Sequence, residues 1–221
     1  MSALPEVLIP PADAATAAGV VAATQVWLER AVIGLNLCPF AKAVHVKQQI
    51  RFAVTGARTA DELLAELEHE LQTLAAADPE LHDTTLLIHP EVMGDFLDFY
   101  FFLAEADAAI RRLELDGVIQ IASLHPQYEF AGSDADDIDN YTNRSPYPTL
   151  HLLREASIDR AVAAFPDAAD IFERNIETLR RLGHEGWRRL WLAEAPKPQK
   201  TGDEAGNQRT AIVFRIRDGS G

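Results

Sequence analysis

The stretch TTLLIHPEVMGDFLDFYFFLAEADAAIRRLELDGVIQIASLHP, residues 84–126, decides the fold. Each end is a short apolar run rich in strand formers, and each is stopped by His-Pro, at 89–90 and 125–126; short runs bounded in this way read as strands. Residues 94–115 between them carry the composition of a helix, apolar around much of its circumference in the first half, which predicts a well-buried helix. Strand, helix and strand form a βαβ unit whose strands run parallel.

Working outward, QQIRFAV (48–54) reads as another strand and TADELLAELEHELQTLAAA (59–77) as a helix, with Thr59 and Glu62 spaced as a capping box. Upstream, Val20, Val21, Thr24, Trp27, Leu28 and Ala31 recur at helical spacing over 14–35, and this helix should end where Gly34 takes a left-handed cap and Pro39 forbids continuation. Downstream come a long loop, the strand PTLHLLRE (148–155) and two helices, SIDRAVAAF and DAADIFERNIETLRRLG, the second extending through HEGWRRLWL. The order α, βαβαβ, β, αα predicts a single α/β domain over 14–195. Its mixed sheet of about four strands has a βαβαβ core, an N-terminal helix and C-terminal helices; a ferredoxin-like α+β sandwich is the alternative. Residues 1–13, with Pro5, Pro10 and Pro11, read as a flexible arm, and 196–221 as a polar tail whose last run could add an edge strand.

The 221 residues suffice for one buried core, and 48% hydrophobic with 24% charged residues is ordinary globular usage. A formal charge of −14 with no basic stretch argues against nucleic acid and against an anionic membrane surface. No apolar run reaches membrane-spanning length, and no signal peptide is read at the N-terminus. With Cys38 the only cysteine, an intramolecular disulfide and a cysteine-rich zinc site are both impossible, which fits a cytoplasmic location. GxGxxG, P-loop and GxSxG signatures are absent.

Chemistry concentrates around the two His-Pro ends. If their strands are parallel, His89 and His125 share the carboxyl edge of the sheet, where open α/β sheets bind ligands. Both are candidate acid/base groups, with Cys38 a candidate nucleophile although it follows a helix C-terminus, where the dipole opposes a thiolate. Period-two alternation places Thr149, His151 and Leu153 on one sheet face and Leu150, Leu152 and Arg154 on the other. If the strands neighbour suitably, His89, His125 and His151 are a candidate ligand set for a divalent metal (zinc, iron or manganese). The loop between the last two strands offers Tyr128, Tyr141, Asn143 and Arg144, and Arg154 follows in the strand; these are candidate substrate-binding groups, Arg144 as a planar fork for an anion. The acidic run DADDIDN fails every EF-hand register and reads better as turn-capping residues.

At GLNLCPFA, HPQYEF and NYTNRSPYPTLHLLRE the chain resembles the bacterial domain-of-unknown-function family numbered 1415, over roughly residues 17–193. The resemblance implies a bacterial, cytoplasmic single-domain protein and brings no activity with it. The expected function is an enzyme acting on a small polar or anionic metabolite at the carboxyl edge of the sheet. The alternative is a noncatalytic ligand- or protein-binding module using the 126–149 loop. The oligomeric state and the identity of any cofactor are open.

Overall fold

A computed structural model of the chain describes residues 16–163 and 171–192. The elements run α1 (Ala17–Trp27), a π-helical turn (Leu28–Ile33), α2 (Ala41–Val46), β1 (Ile50–Val54), α3 (Ala60–Ala76), β2 (Thr84–Ile88), α4 (Phe96–Arg112) and β3 (Ile119–Leu124). A 3-10 turn (Ile138–Thr142), β4 (Thr149–Arg154), α5 (Glu155–Ala163) and α6 (Ile171–Leu192) complete the order. The expected arm and the polar tail with its edge strand lie outside the described residues.

The four strands form one mixed sheet in the order β1-β2-β4-β3. β1 and β2 pair in parallel, and β4 is antiparallel to both β2 and β3. The first three strands therefore point the same way, as the βαβαβ reading requires, but β3 does not lie beside β2. The second crossover is a split βαβ unit, and β4 returns antiparallel to fill the gap. Consecutive β1 and β2 are adjacent, unlike the first two strands of the ferredoxin-like alternative.

Period-two alternation divides the side chains between two faces. Leu87, Ile119, Leu150 and Leu152 pack against Leu63, Leu67, Leu71 and Leu74 of α3 and Phe99, Phe102 and Ile110 of α4. On the other face, Ile50, Phe52, Leu86, Ile88 and Leu124 meet α1, the π turn and the NLCPFA segment, with α6 behind them. The capping box of α3 forms as expected: Thr59 Oγ1 accepts from the Glu62 amide at 3.2 Å, and Glu62 Oε2 accepts from the Thr59 amide at 3.2 Å.

Three local expectations are corrected. Gly34 is not a left-handed cap; it stays helical at φ −64°, ψ −37°, because its amide bonds Glu29 O at 3.0 Å in the wider π turn. The left-handed reversal comes two residues later, at Asn36 with φ 59°. Glycine is required at position 34 for space, since a Cβ there would lie 2.3 Å from the Arg30 carbonyl oxygen. Gly34→Ala should therefore cost about 2–3 kcal/mol, the scale of strain from forcing extra atoms into packed structure, measurable as a lower denaturant midpoint.

The first half of α4 is less buried than its composition suggested. Phe99 and Phe102 enter the core, whereas Leu97, Tyr100 and Phe101 are 59%, 53% and 65% exposed. At 100° per residue a helix cannot turn every side chain toward one sheet, and no described element covers the outer side. The third correction concerns α6, which breaks at Gly183 (φ 64°, ψ 173°), a conformation open essentially to glycine alone.

Candidate functional site

The carboxyl edge of the sheet holds His89 and His125, both fully buried. Each turns toward α4, and the Phe99 ring contacts both, at 5.6 Å from His89 and 5.2 Å from His125. Phe96 packs on His125 at 5.5 Å and on Tyr128 at 5.1 Å. His125 Nδ1 accepts from the Gln127 amide at 3.0 Å, and its Nε2, 3.0 Å from the Met93 carbonyl, must then donate to it. That ring is neutral and both its nitrogens are engaged. His89 Nδ1 lies 3.1 Å from the Val92 carbonyl, and only its buried Nε2 is without a partner. Burial pushes the His89 imidazole down to about pH 4 and lowers that of His125 as well. Both histidines tie the 89–93 and 125–128 turns to the sheet.

The long loop consumes its own polar groups. Arg144 donates through Nε to the Tyr128 carbonyl at 3.2 Å and through Nη2 to the Ala135 carbonyl, and its guanidinium lies 4.3 Å over the Tyr141 ring. Trp27 Nε1 donates to the Arg144 carbonyl at 2.9 Å, joining the loop to α1. Asn140 Oδ1 accepts from the Phe130 amide and from Ser133 Oγ, while Asp139 forms a two-pronged pair with Arg180 of α6. Tyr141 is buried against Trp187, ring centres 5.1 Å apart. The Asp and Asn residues thus act as turn caps and straps. Arg154 Nη2 bonds the Leu74, Ala77 and His82 carbonyls, capping the C-terminal end of α3 where a cation is favoured. Arg144 thus commits two of its nitrogens to carbonyls, and Arg154 commits Nη2 while its buried Nε has no partner.

The expected three-histidine metal set does not assemble. His151 pairs with Leu86 and Ala122 in the sheet register and so lies on the face opposite His89 and His125. Among the described residues no three His, Cys, Asp or Glu side chains gather closely enough to hold a metal ion.

On that opposite face lies a half-open cavity of about 460 Å³. Its floor is the sheet, through Ile50, Leu86, Ala122, Leu124 and Leu153. The helical wall comes from Trp27, Leu28 and Val32, where the π turn adds a residue to the helix. Leu37, Cys38 and Phe40 close another side, and α5 contributes Ile158 and Ala161. Four of the sequence candidates, Cys38, Asn143, His151 and Arg154, therefore line one cavity. Their common location was not legible in the sequence because it required the β4 insertion and the docking of the NLCPFA turn, held by the 3.0 Å bond from Asn175 Nδ2 to the Leu37 carbonyl. Thr84 was missed altogether; the only sequence signal was a hydroxyl on a buried apolar strand.

Within the cavity wall, Thr84 Oγ1 donates to the Leu152 carbonyl at 2.6 Å and lies 2.8 Å from His151 Nε2. A hydroxyl has one hydrogen, so His151 Nε2 must carry the proton in that contact, leaving Nδ1 as a lone pair. Burial pushes the His151 imidazole down to about 4, and the residue lies half-buried on the sheet floor of the cavity. Cys38 is likewise unsuited to attack: burial raises its thiol to about 11, outweighing the Ala41 and Phe40 amides that favour the thiolate.

These features define a mixed α/β domain with a half-open, mainly apolar cavity between its sheet and an N-terminal helical layer. The chain belongs to the family described as protein of unknown function (DUF1415), whose model matches residues 19–189. No curated protein and no solved structure matches it. Among the described residues, no helix is long and apolar enough to cross a membrane.

Proposed function

We propose that the protein binds a small, largely apolar molecule in the cavity between the sheet and the N-terminal helices. The observation that carries this reading is a space of about 460 Å³ walled by Trp27, Leu28, Leu86 and Leu124 and broken by a few polar groups. This is the usual construction of a small-molecule site: apolar area supplies affinity and isolated polar atoms fix orientation. The π turn supports the reading, since such turns cluster at functional sites.

This site differs from the carboxyl-edge enzyme pocket expected from the sequence. His89 and His125 are sealed beneath α4, and the loop arginine is spent on carbonyls, so the support lies with binding in the cavity. The 126–149 loop contributes Thr142 and Asn143 to the wall.

The test is titration with the neutral dye N-phenyl-1-naphthylamine, followed by fluorescence and thermal unfolding. Binding should raise the melting temperature in proportion to the logarithm of dye concentration. Ala122→Phe, which projects a ring from β3 into the cavity, should weaken the dye by about tenfold or more, a loss of about 1.4 kcal/mol or more. Dye binding unaffected by this substitution in a folded variant would place the apolar site elsewhere and remove the proposal.

A further inference from the structure

Resting on the cavity reading, we infer that its ligand is neutral and carries a hydroxyl-type hydrogen-bond donor directed at His151 Nδ1. The chain of evidence begins with Thr84. Its single hydroxyl hydrogen is committed to the Leu152 carbonyl at 2.6 Å, so the 2.8 Å contact with His151 requires an Nε2–H tautomer. Thr84 thus positions the ring and sets which nitrogen is free. Nδ1 makes no hydrogen bond among the described residues, and His151 belongs to the cavity wall.

The remaining polar groups give the same preference. Asn143 Nδ2 is already donated to the Ser123 carbonyl at 3.2 Å. Thr142 Oγ1 donates to the Asp139 carbonyl at 3.0 Å. Gln49 Nε2 is held by the Pro79 and Glu80 carbonyls at 3.2 and 2.8 Å. These three side chains have given donors to backbone carbonyls, whereas His151 Nδ1 keeps a lone pair; in the same lining the buried Arg154 Nε has no partner.

The lining carries charges of both signs: Lys47 lies 3.9 Å from Glu80, Asp83 accepts from Ser157 Oγ, Arg160 donates to the same hydroxyl and Arg154 caps α3. A carboxylate or phosphate seated at His151 Nδ1 would set an oxygen lone pair against a nitrogen lone pair and lose its hydration there with no hydrogen to give. A neutral alcohol or phenol would give its hydrogen to a waiting lone pair and bury its carbon skeleton. Burial keeps His151 uncharged near neutral pH, so the acceptor persists there.

Calorimetric titration with 2-naphthol, 2-methoxynaphthalene and 2-naphthoate tests the inference with three probes of similar shape. The naphthol should bind about tenfold more tightly than the ether, the scale of one buried hydrogen bond, and the naphthoate most weakly. His151→Phe should erase the naphthol's advantage over the ether while the ether still binds. Nitrogen-15 NMR of the unliganded protein should show His151 Nε2 protonated and Nδ1 bare, a readout that needs no variant. Equal binding of naphthol and ether, tightest binding of naphthoate, or an Nδ1-protonated ring would overturn the inference and leave the cavity reading standing. Binding of none of the three, nor of the neutral dye, would overturn both.

Discussion

Acidification from pH 7 to pH 4 is expected to remove roughly 6 kcal/mol of folding stability, most of the typical reserve of a domain. Two histidines carry this effect. His89 and His151 are each depressed by burial from an ordinary 6.5 to about 4. Above pH 6.5 both are neutral in the folded and unfolded chains alike, and the linkage contributes nothing. Between 6.5 and 4 the unfolded chain binds protons that the folded chain refuses, so stability falls as pH falls. Each shift corresponds to about 3 kcal/mol once complete. His82 and His125 are lowered too and act in the same direction. Denaturant midpoints measured at several pH values from 7 to 4 give the proton uptake as their slope. His151→Phe should remove about half of the two-histidine effect. A flat profile from pH 6.5 to 5 would mean that these imidazoles accept protons while folded, contrary to their burial.

Phe99→Ala should cost about 3–5 kcal/mol, the range for truncating a buried aromatic core residue. Its side chain is fully buried in the layer between the sheet and α4, and its ring touches both carboxyl-edge histidines. Removal opens a void bounded by two imidazoles whose backbone tethers, from His89 to Val92 and from His125 to Met93, constrain collapse. Phe101→Ala, two residues away, should change stability by about 0.5 kcal/mol or less, because that ring is 65% exposed. Equilibrium unfolding of the two variants separates the core-facing from the outward-facing side of α4; equal losses would contradict the packing described here.

Much of the architecture was legible from local pattern. The helix over 59–77 carries its own start signal in Thr59 and Glu62, and β1, β2, β3 and β4 fall where apolar runs meet turn residues. Alternation along β4 separated His151 from Leu150 and Leu152. These properties are set by bond geometry and by neighbours a few residues away, so the chain announces them locally.

Functional candidates were harder to place. Cys38, Asn143 and His151 stood out by residue type, and His89 and His125 by a shared His-Pro ending, yet type alone could not distinguish a cavity wall from a buried strap. Arg144 had the chemistry of an anion fork, but the Tyr128 and Ala135 carbonyls, neither of them visible as a partner in the sequence, claim its donors.

The sequence by itself determined the strands and helices, their order, the common direction of the first three strands and the absence of any disulfide within the chain. Only the tertiary structure decided that β4 separates β2 from β3, that His151 faces away from His89 and His125, and that Thr84 meets His151 between β2 and β4. The physical reason is range. Periodicity and capping are encoded over one or two turns of chain, whereas strand order, the cavity and the pairing of Thr84 with His151 depend on contacts between segments distant in sequence, whose energies no single segment carries.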